Sequence, residues 1–266
     1  MSRPIVTLTS DFGTADYHVG AMKGVILDIC PDAEVLDITH DLTPFDILDA
    51  AFTLAHACAT FPYRTIHVAV VDPGVGTDRR PLLVSGDRHY FIAPDNGLLS
   101  FIYPKQEKLA VYHITSDHYF RQPLSKTFHG RDVFAACAGW LAKGVEAEKF
   151  GDPIEDYVKL AVPKAQALSE KSWKGMVLKI DRFGNVITNL AAEDCPALFA
   201  EPTPPFKLTA GGKEVTKLAA TYSTGAQGEI FVVLGSSGYL EIAANRNPAA
   251  KLLGLQRGAE VTLTLA

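Results

Sequence analysis

The chain has 266 residues, 47% of them apolar and 21% charged, and a formal net charge of −5. That make-up describes a folded globular protein long enough to bury a core without disulfide staples. It excludes a chain too polar to fold. Lys and Arg cluster no more densely than in pairs, and no apolar run approaches the roughly 18 residues of a membrane span, so neither nucleic acid nor membrane is expected as a partner.

The predicted elements open with Ile5–Thr9, an alternating β-branched run that stops at "SDFG". No basic head, apolar stretch and cleavage site precede it, so no signal peptide is expected and the expected location is the cytoplasm. In "YHVGAMKGVILDIC" the residues Val19, Met22, Val25, Ile26 and Ile29 fall at helical spacing, with Pro31 as the stop. "EVLDI" is a second strand. The spacing then predicts a helix over "TPFDILDAAFTLAHA", with Thr43 as cap, Pro44 at its first position and Asp46 in its first turn. "TIHVAVV" is a nearly continuous apolar strand, as expected when both faces are covered. "PLLVSGDRHYFIAPDNG" reads as a hairpin turning at Gly86-Asp87, and "RDVFAACAGWLAKG" as a helix ending at Gly144.

The character changes near Val162. "PKAQALSEKSW" is polar and carries no strand signal; short strand-like runs follow, from "GMVLKI" to "EVTLTL", with one short helical pattern around "NPAAKLLGL". The expected fold is therefore an α/β domain over residues 1–163, with a mostly parallel sheet flanked by helices, and a smaller all-β, barrel-like domain over residues 172–266. The four cysteines form no CxxC pair and read as reduced core residues.

Parallel strands end on one rim of their sheet, where ligands bind. Asp11, His40, Asp41 and Asp72 stand just past three strand ends. Aspartate is also an ordinary turn residue, but several like charges on one rim need a reason. No HExxH, Cys/His quartet or run of alternating acids marks a metal site, and no metal is expected. "SDFG" lies too near the start to be a kinase magnesium motif, and a GxSxG nucleophile elbow is absent. "VVDPGVGTDRR" packs glycines after a strand like a phosphate loop, yet Arg79 stands where a third glycine belongs; Arg80 beside it reads as a solvated or interface arginine. "TFHGRD" places His129 just before a helix, where it can act as a general base or a positioned donor. "DRFGNVITNL" puts Phe183 at a loop tip, an exposed aromatic that calls for a flat ligand or a neighbouring subunit.

Together "TLTSDFG", "DITHDLTPFDI", "VVDPGVGTDRR", "FIAPDNGLLS", "TFHGRD", "DRFGNVITNL" and "GSSGYLEIAANRN" resemble, in order and across the whole chain, the S-adenosyl-L-methionine (SAM) hydroxide adenosyltransferases, relatives of the SAM-dependent fluorinase and chlorinase. The resemblance implies splitting of SAM, as substrate and without a cofactor, into adenosine and L-methionine by water. It implies a homotrimer with each site at a subunit interface. It gives Asp72, Arg79 and His129 the activation of water, and Asp11 the ribose hydroxyls. It places Phe45 and Phe128 beside the substrate. Asp181, Phe183 and Asn185 meet the methionine amine and the adenine; Ser236 lies near the methionine carboxylate, and Asn245 and Arg246 border the adenine. The halogenases differ by carrying Tyr, Tyr and Ser where Asp72, His129 and Gly130 stand, and Arg where Ser237 stands. Two other readings remain in play, a halide transferase and a SAM or adenosine sensor without turnover; a water-activating set argues against the sensor.

Overall fold

The computed structural model describes residues 3–266, which form two compact units, one ending at Val162 and the other running Pro163–Ala266. The first unit is mixed α/β. Its strands are β1 (Ile5–Ser10), β2 (Glu34–Thr39), β3 (Ile66–Val70), β4 (Pro81–Ser85), β5 (Tyr90–Pro94) and β6 (Ala110–His113). They lie in the order β2-β1-β3-β5-β4-β6. The four strands β2, β1, β3 and β5 run parallel, and β4 runs antiparallel to both β5 and β6. The β4–β5 hairpin closes where Gly86 N donates to His89 O at 3.0 Å. All five residues of β3 are buried, in keeping with its central place.

Helix α1 (His18–Ile29) buries Val19, Met22 and Ile26. With Phe134, Cys137 and Ala138 they pack on Val6, Leu8 and Val68 of the sheet, one continuous apolar cluster. Helix α2 (Ile47–Ala57) starts later than its pattern predicts. Its cap is Asp46, whose side chain accepts from Asp49 N. Thr43 instead donates its N and Oγ1 to Asp49 Oδ2. The displaced residue, Phe45, sits in left-handed backbone at φ 63°. The helix read from "RDVFAACAGWLAKG" begins as a π-helical stretch, Gly130–Ala135, and continues as α3 (Ala136–Ala142). Such wide turns inside helices often accompany functional sites, because they re-aim the side chains before them.

The second unit is almost all β: β7 (Gln166–Ser169), β8 (Ser172–Ile180), β9 (Val186–Ala191), β10 (Phe206–Ala210), β11 (Lys213–Val215), β12 (Leu218–Ala219), β13 (Ile230–Leu234), β14 (Tyr239–Ala244) and β15 (Glu260–Leu265), with one short helix, α4 (Ala249–Leu253). The hydrogen-bonded path is β11-β10-β15-β8-β9-β14-β13-β12, with β7 paired to β8. Every pairing is antiparallel except β12–β13. The polar stretch "PKAQALSEKSW" is a hairpin, contrary to expectation. All four residues of β7 are exposed, and a strand wetted on both faces has no hydrophobic alternation to read. The inward faces of β8, β10, β14 and β15 share a core of Val177, Leu208, Ile242 and Val261. All four cysteines are free and buried. Among the described residues no helix is long and apolar enough to cross a membrane.

Candidate active site

In the first unit the loop after β3 carries both Asp72 and Arg79, and the residue preceding the π-helical stretch is His129. The structure brings the three together. Arg79 Nε donates to Asp72 Oδ1 and Oδ2, each at 3.0 Å, and Arg79 Nη2 donates to Asp72 Oδ2 as well. The same Nη2 reaches His129 Nδ1 at 2.9 Å. An Arg nitrogen can only donate, so Nδ1 is the acceptor and the proton of the neutral ring lies on Nε2. The Arg79 and Asp72 side chains are 9% and 5% exposed, so the ion pair is largely desolvated. The guanidinium also lies 5.0 Å from the Phe134 ring centroid. Burial, and then the Arg79 charge, hold the His129 imidazole below its ordinary value against the pull of Asp72 and Asp132.

Two devices bring these loops together. Gly76 has φ 76°, and a Cβ there would lie 2.2 Å from the Lys126 carbonyl oxygen. The loop after β3 thus rests on the backbone just before His129. On the other side Asp132 is fully buried; its carboxylate accepts from Ser125 N at 2.8 Å and from Arg131 Nε at 2.6 Å. Burial pushes that carboxyl up, but the Arg131 and Ser125 hydrogen bonds outweigh it and hold it low. Phe128 is buried against Phe12 and His18, with Arg131 stacked 5.1 Å from its ring.

Asp11 follows β1. Its Oδ2 accepts the Phe45 N–H at 2.8 Å, which leaves Oδ1 to accept from a ligand. Phe45 itself is 73% exposed. The neighbours His40 and Asp41 diverge from the expected rim. Asp41 is exposed, whereas His40 is buried against Asp37 and Ser10. Among the described residues no group of three or more His, Cys, Asp or Glu side chains is arranged to hold a metal ion. Arg80, read from the sequence as a solvated or interface arginine, is tied down within its own unit. Its Nε donates to the buried Asp95 at 2.9 Å, and its Nη1 and Nη2 reach the Asp156 carboxylate and carbonyl at 2.8 and 2.9 Å.

The second unit has its own pocket of about 670 Å³, and Asp181, Phe183, Asn185, Asn245 and Arg246 all line it. Asp181 organises the turn after β8: its Oδ1 accepts from Phe183 N and Asn185 N, and its Oδ2 from Asn185 Nδ2. This leaves Phe183 projecting, 78% exposed. Ser236 lies instead in the exposed β13–β14 turn and is not among the residues lining the pocket. Two lining residues, Tyr222 and Ser223, escaped the sequence reading, because "TYSTG" has no periodicity and no motif. Tyr222 OH donates to Glu241 Oε2 at 2.7 Å. Burial, with the Asp181 charge, holds the Glu241 carboxyl above its ordinary value despite that bond.

Gly184, at φ 83°, has the Pro248 Cβ and Cα only 2.4 and 2.7 Å from where its own Cβ would be. Gly184→Ala is therefore expected to push the Asp181–Asn185 turn away from the α4 end of the pocket. Ligand affinity should weaken by roughly tenfold, about 1.4 kcal/mol, as read by calorimetry. Unchanged affinity would show that the turn does not shape the pocket.

Residues 6–151 match the profile of the SAM hydroxide adenosyltransferase N-terminal domain, and residues 175–262 that of the C-terminal domain. A protein of Thermus thermophilus named (R)-S-adenosyl-L-methionine hydrolase is 36% identical, the match covering 98% of this chain and 99% of that one. One of the same name from Methanocaldococcus jannaschii is 34% identical over 94% of this chain and 92% of its own. A fluorinase of an Actinoplanes species is 27% identical over 99% and 98% of the two chains. A crystal structure of an uncharacterized conserved protein from Thermotoga maritima superposes with a TM-score of 0.91 at 34% identity, covering 98% of this chain and 99% of that one. The chain belongs to the SAM hydroxide adenosyltransferase family.

Proposed function

We propose that the protein hydrolyses S-adenosyl-L-methionine to adenosine and L-methionine, with Asp72, Arg79 and His129 positioning and activating the water. The observation that carries this reading is the hydrogen-bonded chain of carboxylate, guanidinium and imidazole in the first unit. The leaving group is a neutral thioether departing from a sulfonium, so no acid is needed on that side. The demand falls on the nucleophile, which must lie in line with the C5′–S bond opposite sulfur.

The polarity of the set assigns roles. His129 Nδ1 is taken by Arg79, so Nε2–H is the edge left to orient the water oxygen. Asp72 is the remaining acceptor, and its Oδ1 carries a single bond from Arg79. As oxygen bonds to C5′, it becomes a protonated alcohol, a far stronger acid than any carboxylic acid. Any carboxylate therefore suffices to take the proton. Asp11 fits the ribose hydroxyls, since a carboxylate accepts such pairs well, and Phe45 and Phe128 fit the flank of the sugar. The pocket of the second unit fits much of the rest of the substrate: Asp181 and Asn185 the ammonium, Phe183 a flat face of the adenine, and Asn245 and Arg246 its edge; Ser236, outside that pocket in the β13–β14 turn, is left for the carboxylate. The assembly proposed is the homotrimer that the family resemblance implies, with one subunit's first unit and its neighbour's second unit enclosing each substrate; the exposed aromatics Phe45 and Phe183 are side chains such an interface would cover, and sedimentation with and without SAM tests this.

The deciding experiment is incubation of the purified protein with SAM and chromatography of the products. Equimolar adenosine and methionine are expected, and their absence would overturn the reading. Chloride and fluoride are supplied in parallel; formation of a 5′-halo-adenosine in place of adenosine would favour the halide transferase. The pH profile is a second check. His129 must be neutral to accept from Arg79, and its value lies below 6.5. Turnover should be flat from neutral pH upward and fall as the pH drops through that lowered value. His129→Asn should lose this acid limb along with most of the rate.

A further inference from the structure

Beside Asp11, the carboxylate proposed for the ribose, lies a chain of side chains with no part in the chemistry above. Lys23 of α1 donates to Asp37 Oδ2 at 2.6 Å, and Asp37 Oδ1 lies 3.0 Å from His40 Nε2. His40 Nδ1 lies 2.7 Å from Ser10 Oγ. Ser10 Oγ in turn accepts the Phe12 N–H at 3.3 Å. The sequence of groups, serine, histidine and aspartate, is that of a nucleophilic triad. Ser10, however, is 2% exposed and its oxygen already serves the backbone of the next turn.

What the chain grips is the Ser10–Gly13 turn, the segment that carries Asp11. His40 holds it twice, through Nδ1 to Ser10 and through its carbonyl, which accepts Gly13 N at 2.8 Å. Asp11 closes the same seam from its own side by accepting Phe45 N. The turn after β1 and the turn after β2 are thus stitched by three hydrogen bonds, and the carboxylate is oriented by the stitching. With the His40 proton on Nε2, every link has a donor and an acceptor: Ser10 O–H to Nδ1, Nε2–H to Asp37, and Lys23 to the other Asp37 oxygen. Burial pushes the Asp37 carboxyl up, but the hydrogen bonds from Lys23 and His40, with the Lys23 charge, keep it low, so it remains the anionic anchor.

We propose that His40, anchored by Asp37, is a positioning residue for the substrate-binding carboxylate of Asp11, acting through Ser10 and the backbone of Gly13. The role rests on the reading of Asp11 as the ribose ligand. Its effect is on ground-state affinity for the nucleoside half of the substrate, and the water-activating set is untouched. Losing one such hydrogen bond weakens binding by about fivefold.

The test uses the full-length protein, with KM and kcat for SAM and, separately, the Kd of adenosine by calorimetry. Ser10→Ala and His40→Ala are each expected to raise KM and Kd by about fivefold or more, with kcat within about twofold of the parent. His40→Asn, whose amide reaches the Nδ1 position, should recover most of the affinity. The Ser10→Ala/His40→Ala pair should be no weaker than His40→Ala alone, because the two act on one link. Asp11→Ala marks the ceiling. Should His40→Ala fail to fold, Ser10→Ala, which removes a single hydroxyl, decides alone. Unchanged KM and Kd in the variants, or a loss confined to kcat, overturns the proposal while leaving the hydrolase reading intact. Parent protein that binds adenosine without splitting SAM overturns the hydrolase reading, and the Kd series still judges the clamp. Parent protein that binds neither overturns both.

Discussion

Arg79→Ala is expected to reduce kcat/KM for adenosine formation by on the order of 10³-fold, the scale of losing a positioned acid–base set. Three functions are lost at once. Asp72 loses a bidentate partner, His129 Nδ1 loses its donor, and the Phe134 ring loses the cation stacked on it. Removing one member of a buried pair also costs roughly 3–5 kcal/mol of stability, because the other charge is left without compensation. Asp72 lies on a loop, where water can reach it after the change, so the lower end of that range is expected. Activity and stability should then separate in the Asp72→Ala/Arg79→Ala double variant. Removing the stranded charge restores part of the melting temperature but none of the turnover. Arg79→Lys is expected to behave almost as badly in the assay. An ammonium is a point donor and cannot span both carboxylate oxygens and an imidazole nitrogen. Adenosine chromatography and calorimetry read the two quantities, and a kcat/KM within tenfold of the parent in Arg79→Ala would remove the set from the mechanism.

What was legible in the sequence was whatever local pattern controls. Period-2 and apolar runs located β1, β3 and the β4–β5 hairpin, and the seven-residue separation kept Asp72 and Arg79 within reach of one another. Position along a strand put Asp11 and Asp72 at strand ends. What was not legible depends on partners distant in the chain. Arg80 looked solvated because both its acids, Asp95 and Asp156, come from remote segments. His40 looked like a rim ligand, but folding β2 beside β1 sets it against Ser10. The α2 cap was misplaced because Thr43 and Asp46 are both good capping residues. The choice fell to Phe45, whose left-handed backbone breaks the helix before Asp46. Strand β7 was invisible because it has no buried face. Tyr222 was missed for a related reason: a pocket-lining loop residue answers to its ligand and to Glu241, and neither leaves a period in the sequence.

The two glycines of "DPGVG" look equivalent in sequence and are expected to respond in opposite ways to the same change. At Gly74 an added Cβ would meet the Arg79 Cγ at 3.4 Å, the Thr77 Oγ1 at 3.5 Å and the Asp72 Oδ1 at 3.8 Å, ordinary van der Waals contacts that displace nothing. Gly74→Ala should therefore keep kcat/KM within about threefold, since a methyl added without a clash costs ~0.5 kcal/mol or less. At Gly76 the backbone is left-handed, φ 76°, which costs an L-residue roughly 1–2 kcal/mol. The new methyl would also lie 2.2 Å from the Lys126 carbonyl oxygen. That oxygen is backbone and cannot rotate aside, so one of the two loops must move by an ångström or more. Arg79 is three residues downstream of Gly76, and His129 three residues downstream of Lys126. The displacement therefore falls on the 2.9 Å contact between Arg79 Nη2 and His129 Nδ1. Shifts of about 1 Å at a reacting group cost on the order of 10²-fold in rate. Gly76→Ala should show that loss in kcat, with the affinity for adenosine unchanged. If Gly76→Ala turned over as fast as Gly74→Ala, the close approach of the two loops would be incidental to the chemistry. If it is slow while Gly74→Ala is not, the glycine is there to let two backbones touch.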